Sequence, residues 1–145
     1  MASNDKEVAF EFLPLLRVYK DGLVERLIVS PIVPPSFEDL ETGVSSKDIT
    51  ISENPTISAR FYLPKLTQPN QKLPILVYIH GLAFVIGSAF ACDHQQYLNS
   101  LVSQGRVVVV SVAYRLAPEH SLPIAYEDPW ATIQWVVSHS LDNKL

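Results

Sequence analysis

Apolar and polar residues alternate through Leu15-Leu16-Arg17-Val18-Tyr19 and again through Leu23-Val24-Glu25-Arg26-Leu27, on either side of Lys20-Asp21-Gly22. Glycine accepts the positive φ of a tight turn, so Asp-Gly between alternating runs predicts a β-hairpin. From Ser30 to Thr42 the pattern breaks down around Pro31, Pro34 and Pro35, as in an irregular connector. Asp48 to Ile51 and Ile57 to Leu63 predict two further strands around Glu53-Asn54-Pro55, and Pro64 to Lys72 reads as a polar turn.

Past Lys72 the pattern changes. Leu76 to Ile79 and Val107 to Val112 are unbroken apolar, β-branched runs, which predict strands covered on both faces. Between them, Tyr97, Leu98, Leu101 and Val102 share one face of a helix over Asp93 to Gln104. Asp93 is the expected N-cap and Gly105 the expected stop. Strand, helix and strand in that order form a βαβ crossover. A second helix is predicted over Ile124 to His139, with Pro129 near its start or at a kink, because proline inside a helix costs about 3 kcal/mol. The fold class is therefore α/β: antiparallel N-terminal strands lead into a βαβ unit, and the sheet is incomplete. The last parallel strand is expected to present an unpaired apolar edge that invites self-association.

Composition narrows the function. The chain has 145 residues, 48% hydrophobic and 18% charged, enough apolar material for a packed core. A formal net charge of −4 without a basic cluster gives no footprint for nucleic acid. Cys92 is the single cysteine, which excludes an internal disulfide framework and fits a reducing compartment. The opening MASNDKEVAF lacks the layout of a secretory signal, and no apolar run approaches the roughly 20 residues of a membrane helix. A cytoplasmic protein with no membrane partner, cofactor or metal is the expectation.

The chemistry-bearing stretch is His80-Gly81-Leu82-Ala83-Phe84, at the end of a predicted buried strand. Read alone, it ends that strand and packs Leu82 and Phe84. Its surroundings add a second reading. The stretches LLRVYKDGLVER (15–26), GVSSKDITISENPTISARFYL (43–63), LPILVYIHGLAFVIGSAF (73–90), SVAYRLAPEH (111–120) and LPIAYEDPWATIQWVVSH (122–139) together resemble the plant carboxylesterase branch of the hormone-sensitive-lipase-like α/β hydrolases. The resemblance implies an N-terminal segment over 1–14 and a partial α/β-hydrolase domain over 15–145.

It also implies an oxyanion-hole loop of His80, Gly81, Leu82 and Ala83, with Phe84 beside the substrate and a small-molecule ester as the substrate. In the family the motif is His-Gly-Gly-Gly, and glycine N–H groups hold the oxyanion of the tetrahedral intermediate. Here the donor positions carry Leu82 and Ala83. Their N–H groups persist, but a left-handed backbone at either position would cost about 1–2 kcal/mol. Family members carry a nucleophile elbow G-x-S-x-G, then an acid and a histidine. No such elbow occurs in these residues; Gly43-Val44-Ser45-Ser46-Lys47 lacks the last glycine and precedes a strand. None of the triad is expected here, so the chain is expected to be a truncated, inactive carboxylesterase-like hydrolase. The alternative is a non-catalytic relative that binds a small hormone or isoflavonoid.

Other candidates read as structural. Arg115, Glu119 and His120 suggest an ionic group, but an Arg–carboxylate contact and a proline-set turn that fix the next helix account for them better. Ala113 and Ser121 depart from the acid and proline usual in the family. Cys92, Asp93 and His94 are adjacent and diverge at a helix start, without metal-site spacing. Glu127 and Asp128 point about 100° apart on a helix, as a solvated face or a local ion pair. Of Trp130 and Trp135, one is expected in the core and one partly exposed. The resemblance makes Tyr19, Phe37 and the N-terminal segment a lid over a substrate cleft.

Overall fold

The computed structural model describes residues 6–141. Three strands, β1 (Val8–Phe12), β2 (Leu16–Tyr19) and β3 (Val24–Arg26), form an antiparallel sheet in the order β1-β2-β3. The expected hairpin is β2–β3, with Gly22 at φ +87° in its turn. β1 lies outside any sequence expectation. Its side chains are exposed throughout, so no buried face stamps an alternation on it, and its pairing with β2 is what makes it a strand.

The second sheet contains β4 (Ser45–Glu53), β5 (Thr56–Leu63), β6 (Ile75–Ile79) and β7 (Val108–Ala113) in the order β4-β5-β7-β6. β4 and β5 form a hairpin, β5 pairs antiparallel with β7, and β6 runs parallel to β7. The crossover from β6 to β7 carries α1 (Cys92–Gly105), and α2 (Ile124–Leu141) follows β7. The valine run of β7 has the cause its sequence suggests. Val109 packs with Leu98 and Val102 of α1, whereas Val110, one residue on, packs with Val136 of α2. Successive strand residues face opposite sides, so both faces of β7 are covered.

The edge expectation is corrected. β7 sits between β5 and β6, and the edges of this sheet among the described residues are β4 and β6, of which β6 is the parallel one. On β6, Leu76 and Ile79 are exposed. The helix caps also differ. The N-cap of α1 is Ala91, with no side-chain cap bond; Asp93 lies in the first turn, where its charge still complements the helix dipole. At the other end Arg106, not Gly105, takes the left-handed conformation (φ 52°, ψ 48°), and its N–H reaches the Val102 carbonyl. α2 runs through Pro129. Trp130 points outward, while Trp135 packs on the core and meets Phe61 edge-on at 6.1 Å.

An ion pair with a buried arginine and an exposed carboxylate ties the hairpin to α1. Asp48 and Arg60 are opposite each other in the β4–β5 register. Nε and Nη2 of Arg60 donate to the two Asp48 oxygens at 2.6 and 2.9 Å, and Nη1 donates to Gln95 Oε1 at 2.6 Å. The Phe90 ring covers the guanidinium at 5.1 Å.

Candidate functional site

The loop 80–87 begins where β6 ends. β6 and β7 run parallel in the register Ile79↔Val112, so His80 and Gly81 emerge beside Ala113 and Tyr114. This is the carboxyl end of the parallel strands, where open α/β sheets bind ligands. His80 is buried, and its ring stacks on Tyr114 at 4.3 Å and on His94 at 5.4 Å. Its Nδ1 lies 3.0 Å from the Gly81 carbonyl oxygen. The Tyr114 hydroxyl donates to the His80 carbonyl at 2.8 Å and lies 3.1 Å from that of Gly81.

Leu82, Ala83 and Phe84 have φ of 76°, 57° and 64°. Both donor positions named by the sequence are thus left-handed, at about 1–2 kcal/mol per residue, and Phe84 extends the run. Among the described residues the N–H groups of Leu82 and Ala83 donate to no protein acceptor. The Leu82 carbonyl accepts from Val85 N at 3.3 Å and Ile86 N at 3.4 Å, which closes the turn. Leu82 projects its side chain outward, 49% exposed. Gly87 (φ +97°) passes close beneath: a Cβ there would lie 2.8 Å from His80 Nδ1 and 3.1 Å from Leu82 Cδ1.

Phe84, expected beside a substrate, is half-buried. It packs against the cluster of Val112, Tyr114 and Ala125, its ring meets Tyr126 at 5.4 Å, and its carbonyl accepts from Ala117 N at 2.9 Å.

Arg115, Glu119 and His120 border one open cleft of about 430 Å³ with Arg26 and Leu116, but the charges of Arg115 and Glu119 are committed to ion pairs. Arg115 donates Nε and Nη2 to Asp128 at 2.9 and 2.7 Å, and its backbone N–H donates to the same carboxylate. Asp128 is buried, so Glu127 and Asp128 resolve into an outward acid and a local ion pair that anchors α2. Glu119 receives Nη1 and Nη2 of Arg26, both at 2.8 Å, and that guanidinium holds the Glu119 carboxyl below the usual carboxylate range. Arg26 Nε reaches the Val85 carbonyl at 2.7 Å, so β3 is tied directly to the loop. Arg26 was not singled out by sequence reasoning; nothing in its local context marks a partner 59 residues away.

Cys92 is half-buried and free, Asp93 accepts from Ser30 Oγ at 3.0 Å, and His94 Nδ1 sits 2.8 Å from the Ser88 carbonyl. Among the described residues no three His, Cys, Asp or Glu side chains converge to hold a metal ion, and no helix is long and apolar enough to cross a membrane. Phe37 is exposed and the Tyr19 hydroxyl donates to Glu25, whereas Ile28, Val29, Ser30 and Ile32 cover a cavity of about 160 Å³ beside Gly87.

Burial lowers the pKa of His80, with a smaller push from His94 in the same direction. A histidine depressed in the folded state contributes stability that is present above the unfolded value and lost as pH falls through the folded value. Lowering the pH from 7.5 to 5 is therefore expected to weaken the protein, and His80→Gln to flatten that slope. Urea unfolding at the two pH values checks this; an unchanged slope in the variant would contradict it.

The family described as alpha/beta hydrolase fold matches residues 76–144. The chain is 63% identical over 141 residues to a 2-hydroxyisoflavanone dehydratase of Glycyrrhiza echinata, covering 97% of this chain and 43% of that one. It is 48% identical over 134 residues to the Arabidopsis thaliana protein named "Probable carboxylesterase 2", covering 92% and 42%. Among solved structures, an esterase from Pyrobaculum calidifontis superposes with a TM-score of 0.57 at 37% identity, over 75% of this chain and 31% of that one. The chain thus spans less than half the length of the curated relatives it matches.

Proposed function

Because the chain belongs to the α/β-hydrolase fold family and is carboxylesterase-like within it, we propose that residues 80–83 are the oxyanion-holding loop of a cytoplasmic hydrolase that cleaves small carboxylic esters by acyl transfer. One observation carries the reading: two adjacent residues of positive φ, Leu82 and Ala83, whose N–H groups donate to no acceptor among the described residues, at the carboxyl end of a parallel strand. When a nucleophile attacks an ester carbonyl, its oxygen takes up negative charge. Donors already fixed there stabilise that charge without reorganising, and loss of one costs about 10²–10³ in rate. The nucleophile, acid and histidine would come from the portion of the protein that completes the relatives' length, added at the edge of β6.

Identity of 63% and 53% to two dehydratases favours a second reading on the same site. Removing a proton beside a carbonyl also places negative charge on its oxygen, so the same two donors would serve the loss of water from a hydroxyisoflavanone.

The test is hydrolysis of p-nitrophenyl acetate by the 145-residue chain beside a protein-free blank. No turnover above the blank is expected. Turnover would mean that these residues contain a nucleophile and would overturn the division of labour proposed.

A further inference from the structure

We propose that Tyr114 is the positioning residue that aims the Leu82 N–H into the oxyanion site. The inference rests on the loop being an oxyanion holder and adds the group that orients it.

In a trans peptide the N–H points opposite to the C=O of the same unit. The direction of the Leu82 N–H is therefore set by whatever holds the Gly81 carbonyl, and the direction of the Gly81 N–H by whatever holds that of His80. The buried Tyr114 hydroxyl, 2.8 Å from the His80 oxygen and 3.1 Å from the Gly81 oxygen, faces both. A hydroxyl has one proton to give. It is shared between the His80 oxygen at 2.8 Å and the Gly81 oxygen at 3.1 Å, and His80 Nδ1–H, 3.0 Å from the Gly81 oxygen, adds a second donor there.

Stacking at 4.3 Å with an interplanar angle of 20° fixes the tyrosine against the imidazole, so the two donors act as one unit. Both carbonyls are drawn inward, and the Leu82 N–H is left pointing away from the core. Burial pushes the Tyr114 hydroxyl up to about 12, so it remains a donor wherever an ester is stable. The parallel register makes this possible. Tyr114 lies two residues beyond Val112 and Gly81 two beyond Ile79, and those two residues are paired.

This arrangement also accounts for the strained run that follows. With the Gly81–Leu82 peptide fixed by Tyr114 and His80, and the Leu82 carbonyl fixed by Val85 and Ile86 N–H, the backbone between them is held at both ends. Leu82 and Ala83 keep left-handed geometry without the glycines that would adopt it freely.

Tyr114→Phe removes only the hydroxyl and keeps the stacked ring. The 145-residue chain, labelled for NMR, is titrated with the monoanion of methyl methylphosphonate, a tetrahedral mimic of the intermediate. In the unmutated chain the Leu82 and Ala83 amide signals are expected to move. In the variant the affinity is expected to fall about fivefold, the size of one hydrogen bond. Residual dipolar couplings of the Leu82 N–H are expected to change while those of β6 and β7 stay put.

Equal affinity and unchanged Leu82 couplings in the variant would overturn the role of Tyr114. No response of Leu82 or Ala83 in the unmutated chain would overturn the oxyanion reading instead, and the couplings alone would then decide whether Tyr114 orients the peptide. Should the variant not fold, replacing the hydroxyl proton by deuterium in the unmutated chain is expected to shift the His80 carbonyl carbon; no shift would overturn the contact.

Discussion

Asp48→Ala is expected to destabilise the protein by about 3–5 kcal/mol. The exposed partner is the one that matters. The Arg60 side chain is 1% exposed and that of Asp48 40%. Removing the carboxylate strands a guanidinium among Phe90, Gln95 and the strand backbone, with only the Gln95 contact left. A buried charge without its counter-charge is among the costliest defects a core can carry, whereas replacing both members by apolar residues is often neutral. Asp48→Leu combined with Arg60→Met should accordingly recover most of the loss. Urea unfolding of the three proteins checks this. A loss under about 1 kcal/mol for Asp48→Ala, as for a surface pair, would contradict the buried network.

Leu82→Gly combined with Ala83→Gly is expected to do the reverse and stabilise the chain. Each left-handed non-glycine residue costs about 1–2 kcal/mol. Glycine returns about 0.5–1 kcal/mol of that through the extra freedom of the unfolded chain. The net gain for the pair is about 1–2 kcal/mol, read as a rise in the urea midpoint. Loss of stability would mean that these residues do not have the φ of 76° and 57° seen here. In a completed enzyme the same change clears the Leu82 side chain from the site while keeping both N–H donors, so turnover should rise with it.

Much of this architecture was legible in the pattern of apolar residues. The β2–β3 hairpin follows from Asp21-Gly22, and the two-sided burial of β7 from its valine run. α1 follows from the stripe Tyr97, Leu98, Leu101, Val102. These signals are local, because each residue type reports its own backbone and the face it buries. What stayed hidden depends on partners far along the chain. Strand order cannot be read from β6 and β7 singly, and so the open edge was placed on the wrong strand. Arg60 and Arg26 looked like ordinary strand arginines until Gln95, Val85 and Glu119 were brought beside them.

The site divides in the same way. His80, Gly81, Leu82 and Ala83 were visible as a departure from a glycine-rich motif, and the left-handed backbone is the condition under which that departure carries a cost. Tyr114 lay unremarked within SVAYRLAPEH because its role comes from register with a neighbouring strand. The φ of 64° at Phe84 is one that no residue preference would suggest for phenylalanine.

The most direct test of the central claim is a chimera. Residues 1–145 are joined to the part of the Arabidopsis thaliana relative that the match leaves uncovered, and p-nitrophenyl acetate hydrolysis is measured for the chimera, each half alone and the intact relative. Turnover by the chimera and the relative, with none from either half, is the predicted result. A folded chimera without turnover beside an active relative would show that His80-Gly81-Leu82-Ala83 cannot hold an oxyanion.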